Sequence, residues 1–209
     1  MKIIKQPDSK FGLPFIAYAG EDLSDHPALI IHLHGIGERG DGGKDLDRVL
    51  THGLPNVADD TNLIDCILVM PQCPSDAFWV TKVESIKQFI DAVAEHYAAD
   101  PGRIYLCGLS MGGFGTWFAA TAYPDLFAAI APCCGGGIAY SAEVLKMPIW
   151  TFHGLEDKVV PVSYTQEMIG ALKDINPNFK YTLYEGVGHN CWDRAFSPEL
   201  IRWLLVQHK

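Results

Sequence analysis

The sequence predicts an α/β fold in which a mostly parallel sheet carries helices on both faces. Short apolar segments rich in β-branched and aromatic residues alternate with segments of helical periodicity, and this alternation is typical of strand–helix units. Most of the apolar segments show no polar–apolar alternation, which favours strands covered on both faces. The 209 residues are expected to form one domain, 1–209, because a domain usually takes about 150 residues.

The expected strands differ in direction. An N-terminal strand is expected to lie antiparallel at the edge of the sheet, and the later strands are expected to run parallel to one another, because helices separate them. In chain order the strands are Phe15–Tyr18, Ala28–His34, Cys66–Met70, Arg103–Cys107, Phe127–Ala131, Pro148–Phe152 and Tyr181–Tyr184.

Helical periodicity marks the segments between these strands. Thr81 and Glu84 have the spacing of a capping box, and an apolar stripe follows them as far as Tyr97. Further helices are expected from Met111 through Ala120, near Ala142–Lys146, from Ser163 through Leu172, and from Pro198 onward with Ser197 as the N-cap.

Composition and charge exclude several classes of function. The formal net charge of −9 argues against a nucleic acid or an anionic membrane as partner, because clustered lysine and arginine bind both. No run of about 18 apolar residues is present, so no membrane span is expected. The N-terminal segment lacks the apolar run of a signal peptide, so a cytoplasmic location is expected, with secretion as the alternative if a leader has been removed. The six cysteines, without C-x-x-C spacing, are expected to be buried thiols of a reducing compartment.

A G-x-S-x-G motif at Gly108–Gly112 points to a serine nucleophile. A predicted strand precedes the motif and a predicted helix follows it, so Ser110 would stand in a sharp strand-to-helix turn with its hydroxyl exposed. The N–H groups at the start of that helix would face the charge that develops during acyl transfer. Ser110 is therefore the candidate nucleophile.

A serine nucleophile needs a base, and the base needs an orienting acid. In the order serine, acid, histidine, only His189 and His208 lie late enough in the chain, and His189 directly follows a predicted strand. The acid is expected after the preceding strand, where Asp157 and Glu156 compete. Asp157 is favoured because its shorter side chain is held more rigidly, and Glu156 remains the alternative.

Two main-chain donors are needed for the oxyanion of acyl transfer. The N–H of Met111 follows the nucleophile, and the N–H of Ile36 lies in the glycine-rich loop after an earlier strand, with Gly35 shaping the turn. Gly35, Trp79 and Trp192 are candidates to contact the substrate, although a tryptophan is more often part of the core.

Two polar pairs near this loop have a structural and a functional interpretation. His32 and His34 could be metal ligands, but no third ligand is in evidence, so a structural His34 that braces the loop is favoured. Glu38 and Arg39 are interpreted as a local ion pair, and the alternative is an Arg39 that faces an anionic substrate.

Five motifs occur in one order along the chain. They are His34-Gly35-x-Gly37-Glu38-Arg39-Gly40, Pro71-Gln72-Cys73-Pro74 with Trp79, Gly108-x-Ser110-Met111-Gly112-Gly113, His153-Gly154-x-x-Asp157 and His189-x-x-Trp192. Together, from about Gly12 to Leu205, they resemble the α/β-hydrolase superfamily. More narrowly, they resemble its phospholipase/carboxylesterase-like branch, which includes peptidase-like, feruloyl-esterase-like and polyhydroxybutyrate-depolymerase-like serine hydrolases. The resemblance implies Ser110 as nucleophile, Asp157 as acid, His189 as base, and main-chain donors at Ile36 and Met111.

The expected function is hydrolysis of a small-molecule carboxylic ester through an acyl-enzyme, without a metal or other cofactor. A thioesterase or small peptidase with the same three residues is the alternative enzyme, and a non-catalytic ligand-binding module is the alternative from another class. Many α/β-hydrolases insert a lid after the sixth strand. Here only a short segment separates Ile130 from Pro148, so an open groove without interfacial activation is expected.

Overall fold

The computed structural model describes residues 1–7, 10–20, 22–59 and 63–209 and contains one eight-stranded sheet across them. The strand order is β1-β2-β4-β3-β5-β6-β7-β8. The pairs β1–β2 and β2–β4 are antiparallel and the remaining pairs are parallel, so the predicted α/β class is confirmed. The strands are β1 Lys2–Gln6, β2 Phe15–Ala19, β3 Ala28–Leu33, β4 Cys66–Pro71, β5 Ile104–Leu109, β6 Ala129–Cys133, β7 Ile149–Gly154 and β8 Phe179–Tyr184.

Helices cover both faces of the sheet, and a hydrophobic core lies under each face. Ile86, Trp117 and Met168 belong to the core under α1, α2 and α3, and Leu200 and Leu204 of α5 belong to the core on the opposite face. The helices are α1 Val83–His96, α2 Met111–Ala122, α3 Ser163–Leu172, α4 Trp192–Ala195 and α5 Pro198–Leu205. Every residue of β3 to β7 is buried, as their uninterrupted apolar sequences predict.

The N-terminal strand is antiparallel as predicted, but its expected position at the edge of the sheet is wrong. β2 lies between β1 and β4, and β1 forms the edge. β1 carries Lys2 and Lys5, is partly exposed, and lacks the apolar run that identified the other strands. Charged side chains on an edge strand discourage pairing with a second sheet. The same lysines interrupt the apolar pattern by which the other strands were predicted, so this strand was missed.

The helix starts were predicted with mixed success. Ser197 is the N-cap of α5, and its hydroxyl accepts from the N–H of Leu200, as predicted. The capping box of α1 is wrong: Thr81 hydrogen-bonds within a preceding 3₁₀ turn, and Glu84 accepts from Gln88 at 2.9 Å on the exposed face of α1. The short helix expected near Ala142–Lys146 is a 3₁₀ turn at Ala139–Val144.

The parallel strands bring the candidate residues to one edge of the sheet. β3, β5, β7 and β8 end at that edge because neighbouring parallel strands place their carboxyl ends together. The loops that leave these strands begin at residues 34, 110, 155 and 185. Among the described residues, no helix has the length and hydrophobicity needed to cross a membrane.

Candidate active site

Ser110 lies in the sharp turn between β5 and α2. Its backbone has φ 52° and ψ −117°, a conformation that non-glycine residues rarely adopt and that is found where surrounding structure imposes it. The turn is held by hydrogen bonds from the N–H of Ser110 to the carbonyl of Cys133, and from the N–H of Phe114 to the carbonyl of Ser110. The strained turn therefore fixes the direction of the serine hydroxyl.

Two glycines allow the turn to pack against neighbouring backbone. A Cβ on Gly112 would lie 2.0 Å from the carbonyl oxygen of Leu33, and a Cβ on Gly108 would lie 2.4 Å from that of Gly112. Backbone atoms at these positions have no room to withdraw. The motif glycines thus let α2 start directly against the end of β3, which brings the loop after β3 to Ser110.

The structure brings Ser110, His189 and Asp157 into one hydrogen-bonded chain. His189 Nε2 is 2.9 Å from Ser110 Oγ, and His189 Nδ1 is 2.7 Å from Asp157 Oδ2. If Nδ1 carries the proton, it donates to the carboxylate and leaves Nε2 free to accept the serine proton. The second late histidine, His208, is next to the C-terminal residue, and its ring lies near Asp100 instead.

The Asp157 carboxylate is held by the loop that follows β7. Its Oδ1 accepts from the N–H groups of Val159 at 2.8 Å and Val160 at 2.9 Å. Burial alone raises the pKa of the Asp157 carboxyl, but hydrogen bonds from His189 and from these two N–H groups outweigh burial and lower it. The competing acid, Glu156, is exposed.

A second histidine, His153, lies beside the same carboxylate oxygen of Asp157. Its Nε2 is 3.2 Å from Asp157 Oδ2 and 2.9 Å from the carbonyl of Val160, and its Nδ1 is 2.7 Å from Thr165 Oγ1. Both neighbours of Nε2 accept hydrogen bonds only, so Nε2 carries a proton. His153 therefore adds a second imidazole contact to the carboxylate oxygen that His189 contacts.

Two main-chain N–H groups flank Ser110 on the side of the loop after β3. Met111 is the first residue of α2, and Ile36 is the first residue of a 3₁₀ turn at Ile36–Glu38. The first N–H groups of a helix have no partner within it. In the described part of the chain, neither N–H donates to a backbone or side-chain acceptor. Both amides are therefore available to a ligand atom beside Ser110.

His34 braces the loop after β3, as its structural interpretation predicted. Its Nδ1 donates to the carbonyl of Gly35 at 2.6 Å, and its Nε2 accepts from the N–H of Cys73 at 3.0 Å. Burial lowers the pKa of His34 to about 4, in keeping with a neutral ring. Trp79 is fully buried and donates from Nε1 to the carbonyl of His34. The expectation that Trp79 contacts the substrate is wrong, because the ring supports the loop from inside the core.

The ion pair expected between Glu38 and Arg39 is also wrong. Arg39 donates to the main-chain carbonyls of Ile36 and Ala77 at 3.1 Å each, and its guanidinium lies over the ring of Phe78. The Glu38 side chain turns the other way and is buried. The Arg39 side chain thus stabilises the loop.

Two cavities meet at Ser110, and the larger is apolar. Its volume is about 450 Å³. Phe114 and Phe118 follow Ser110 at intervals of four residues and so lie on one face of α2, a spacing that could have identified them in the sequence. The remaining walls come from the start of α2, from α3 and from other loops and turns: they are Ile36, Phe78, Val80, Met111, Gly136, Gly137, Val159, Val160 and Tyr164.

The smaller cavity, of about 190 Å³, lies on the side of His189 and is more polar. Gly35 and Trp192 line it, so their contact with substrate stays a prediction, and the Trp192 ring meets the His189 ring edge-on at 5.1 Å. Glu38 and His52 also line it. Neither was predicted to line it, because only the tertiary fold brings the 3₁₀ turn that ends at Glu38 next to the loop that carries His52.

The cysteines near the site are all unpaired, as are the others in the chain. Cys133, Cys134 and Cys191 form a buried group behind Asp157 and His189, and the sulfur atoms of Cys133 and Cys191 are 3.4 Å apart. Burial raises the pKa of the Cys133 and Cys134 thiols well above its usual value. Neither thiol is therefore suited to act as a nucleophile.

Comparison with known proteins places these observations in a family. The sequence profile of the Dienelactone hydrolase family matches residues 71–196, a range that contains Ser110, Asp157 and His189. A bifunctional acetylxylan esterase/xylanase of Neocallimastix patriciarum is 29% identical over 174 residues, which are 78% of this chain and 23% of that protein. A carboxylesterase of Arabidopsis thaliana is 26% identical over 52% of this chain and 50% of its own. The chain thus spans half or less of these two relatives.

Solved structures share the complete fold. The crystal structure of a thermostable esterase matches with a TM-score of 0.81 and 30% identity, over 100% of this chain and 63% of that chain. The acetyl xylan esterase from Aspergillus awamori matches with a TM-score of 0.76 over 98% of this chain and 99% of its own, and at 14% identity this likeness shows the fold alone. The predicted α/β-hydrolase fold is confirmed.

Proposed function

Because the chain belongs to the dienelactone hydrolase family, we propose that it hydrolyses carboxylic esters through an acyl-enzyme formed on Ser110. The observation that carries the proposal is the continuous chain from Asp157 through His189 to Ser110, with contacts of 2.7 and 2.9 Å. The esterases among its relatives support an ester as substrate. Since the chain spans only part of those relatives, their substrates are not carried over.

In the first half of the reaction His189 Nε2 takes the proton of Ser110 Oγ as that oxygen attacks the ester carbonyl carbon. The carbonyl π electrons move to its oxygen, and the resulting oxyanion accepts hydrogen bonds from the N–H groups of Ile36 and Met111. When the tetrahedral intermediate collapses, the bond to the leaving oxygen breaks and His189 gives that oxygen its proton. The alcohol departs and the acyl group remains on Ser110.

In the second half a water molecule replaces the alcohol. His189 takes one proton from the water, the hydroxide oxygen attacks the acyl carbon, and the second oxyanion occupies the same pair of N–H groups. Collapse breaks the bond to Ser110 Oγ, which recovers its proton from His189, and the carboxylic acid is released. Asp157 stays ionised throughout and stabilises the imidazolium that forms twice.

The two cavities divide the substrate between them. His189 must reach the leaving oxygen to protonate it, and His189 lines the smaller cavity, which therefore takes the alcohol. The acyl chain then occupies the larger cavity, whose aromatic walls at Phe78, Phe114 and Phe118 suit an apolar or aromatic group. Esters are favoured over peptides because an amine leaving group needs firmer protonation than an alcohol.

The test is hydrolysis of p-nitrophenyl acetate, butyrate and octanoate by the wild type and Ser110→Ala, with Ser163→Ala as a matched serine control on α3. Wild type and Ser163→Ala should hydrolyse the butyrate, and Ser110→Ala should fall by roughly 10⁴-fold or more, as for other triad serines. An inert wild type would refute the hydrolase and support a non-catalytic ligand-binding module. A panel of acyl thioesters and peptide amides tests the two alternative enzyme classes.

A further inference from the structure

Glu38 occupies an unusual position for a carboxyl group. The residue is 8% exposed and lines the smaller cavity together with Ser110 and His189. A Cβ placed on Gly35 would lie 3.0 Å from Glu38 Oε2 and 3.9 Å from the Cβ of Ser110. A single point in the loop thus adjoins both the carboxyl and the nucleophile, so Glu38 lies within reach of a group attached to Ser110.

The carboxyl has fewer partners than a buried acid normally has: burial raises its pKa, and main-chain hydrogen bonds from Gly35 and from Glu38 itself only partly offset burial. Among the described residues, Glu38 Oε2 has no hydrogen-bond partner. The nearest imidazole nitrogens are too distant for hydrogen bonds: His34 Nδ1 is 3.9 Å from Oε2, and His52 Nε2 is 4.0 Å from Oε1. Buried polar atoms are rarely left unpaired, and an exception calls for a missing partner.

A second polar atom beside the same cavity is also without a partner. Trp192 lines the cavity with Glu38, and its buried indole Nε1–H has no acceptor among the described residues. Two residues of the cavity wall thus each carry one buried polar atom without a partner, a carboxyl oxygen and an N–H. A hydroxyl group both donates and accepts hydrogen bonds, so it can donate to the carboxyl oxygen and accept from the indole N–H. An ammonium group can only donate.

We propose that Glu38, with His52 and Trp192, forms a subsite that binds a further hydroxyl group of the leaving alcohol, so that esters of polyhydric alcohols such as glycerol or a sugar are preferred. The inference rests on the proposed function, because it assumes that the alcohol leaves on the side of His189. Glu38 is then a specificity-determining residue that contacts substrate.

The electrostatics of the subsite agree with a neutral hydroxylated group. Burial raises the pKa of the Glu38 carboxyl, and in either protonation state a carboxyl bonds to a hydroxyl, as acceptor when ionised and as donor when protonated. A phosphorylated leaving group would meet the Glu38 carboxyl, while the nearby Arg39 is engaged with main-chain carbonyls. A purely apolar alcohol would leave the carboxyl unpaired in the complex.

The test compares two esters that differ only in the hydroxyl groups of the alcohol, glyceryl monobutyrate and propyl butyrate. The wild type should show the higher kcat/KM for the glyceryl ester, and Glu38→Leu should lower the ratio of the two kcat/KM values by about 10- to 100-fold, the usual range for a lost hydrogen bond to a charged group. Glu38→Gln, which keeps one acceptor, should restore part of the ratio. Glu185→Gln removes an exposed carboxylate from the loop before His189 and should leave both activities unchanged.

A measurement on the wild-type protein tests the subsite without any substitution, so it applies even if Glu38→Leu does not fold. The wild-type butyryl-enzyme is offered glycerol or propanol as acceptor, and ester and acid products are counted. An alcohol that binds the leaving-group subsite competes with water, so glycerol should give more ester than propanol at equal concentration. Equal partitioning would overturn the subsite.

The remaining outcomes separate the subsite from the proposed function. If the wild type hydrolyses propyl butyrate but does not prefer the glyceryl ester, or if Glu38→Leu lowers both activities equally, the subsite is refuted and the esterase stands. If butyrylcholine is preferred and Glu38→Leu removes that preference, the subsite binds cations and the proposal is wrong. If neither ester is hydrolysed and Ser110 resists a fluorophosphonate, the proposed function fails and the subsite fails with it.

Discussion

Asp157 is the residue on which the electrostatics of the site depend. Its two oxygens divide their partners: Oδ1 accepts two main-chain N–H groups, and Oδ2 faces His189 and His153. The carboxylate thus has a fixed orientation before substrate arrives. An imidazolium that forms beside it gains a partner without reorganisation, which is the condition for electrostatic stabilisation of a transition state.

Replacing Asp157 by asparagine removes the negative charge and keeps the size of the side chain, so it tests the contribution of the charge to catalysis. The amide can donate to His189 Nδ1 and so favour the tautomer that carries its proton on Nε2, which cannot accept the proton of Ser110. We expect kcat to fall by about 10⁴-fold, the loss typical of this change in a triad. Glu156→Gln, which removes the neighbouring exposed carboxylate, should retain kcat. Loss of activity in Glu156→Gln with a functional Asp157→Asn would instead identify Glu156 as the acid.

The pKa of Asp157 also predicts how its contribution to stability depends on pH. The folded-state pKa lies below the ordinary value of 3.8, so the folded state favours the ionised carboxyl. The stabilisation is complete above the ordinary value and is lost as the pH falls through the lower, folded-state value. The difference in melting temperature between wild type and Asp157→Asn should therefore be constant from pH 7 to about pH 4.5 and shrink below about pH 4. A difference that holds or grows in acid would contradict this sign.

Among single residues, those that belong to a recognisable motif could be predicted from the sequence. Residues whose side-chain position depends on tertiary packing could not. Ser110, Asp157 and His189 each follow a recognisable strand, so their meeting could be expected from the topology. Trp79 and Glu38 stand in loops whose side chains could turn inward or outward. Only the closed fold buries the Trp79 ring in the core and places Glu38 in the wall of the smaller cavity.

At the scale of elements, the close contact between α2 and the end of β3 positions the nucleophile. Gly112→Ala would place a methyl group 2.0 Å from the Leu33 carbonyl oxygen, so α2 would have to move away from the sheet. We expect a loss of more than about 2 kcal/mol in the free energy of unfolding together with loss of activity. Urea denaturation measures the first quantity and ester hydrolysis the second.

A glycine on another helix provides the matched control. A Cβ on Gly170 of α3 would meet no heavy atom within 4 Å. Because alanine favours the helix more than glycine does, Gly170→Ala should raise the free energy of unfolding by up to about 1 kcal/mol. If both changes destabilised the protein equally, the close contact between α2 and β3 would not be the reason why position 112 requires a glycine.

The elements that sequence patterns predicted best are the buried ones. β3 to β7 are covered on both faces, so their sequences are apolar throughout and unmistakable. β1 is short, exposed and lysine-bearing, and α1 begins without a side-chain cap. These elements exist because tertiary neighbours stabilise them, and local sequence carries little of that information.

At the scale of the whole molecule, the short connection between β6 and β7 leaves the groove open. Residues 134–148 contain one 3₁₀ turn, and Gly136 and Gly137 of this segment form part of the wall of the larger cavity. Because residues 134–148 hold no longer segment to displace at a lipid interface, the rate should follow one saturation curve as tributyrin passes its solubility limit. A sharp rise in rate at that limit would show that a closed state exists.

The assignment of Ser110 as the nucleophile is tested most directly by the site of covalent labelling. The protein is treated with a fluorophosphonate at neutral pH, and the modified peptide is identified by mass spectrometry. We predict a single adduct on Ser110, which disappears in Ser110→Ala and is strongly slowed in His189→Gln, because the serine reacts only when the imidazole accepts its proton. A wild-type protein that remains unlabelled, or an adduct on another residue that persists in Ser110→Ala, would contradict the assignment of Ser110 as the nucleophile.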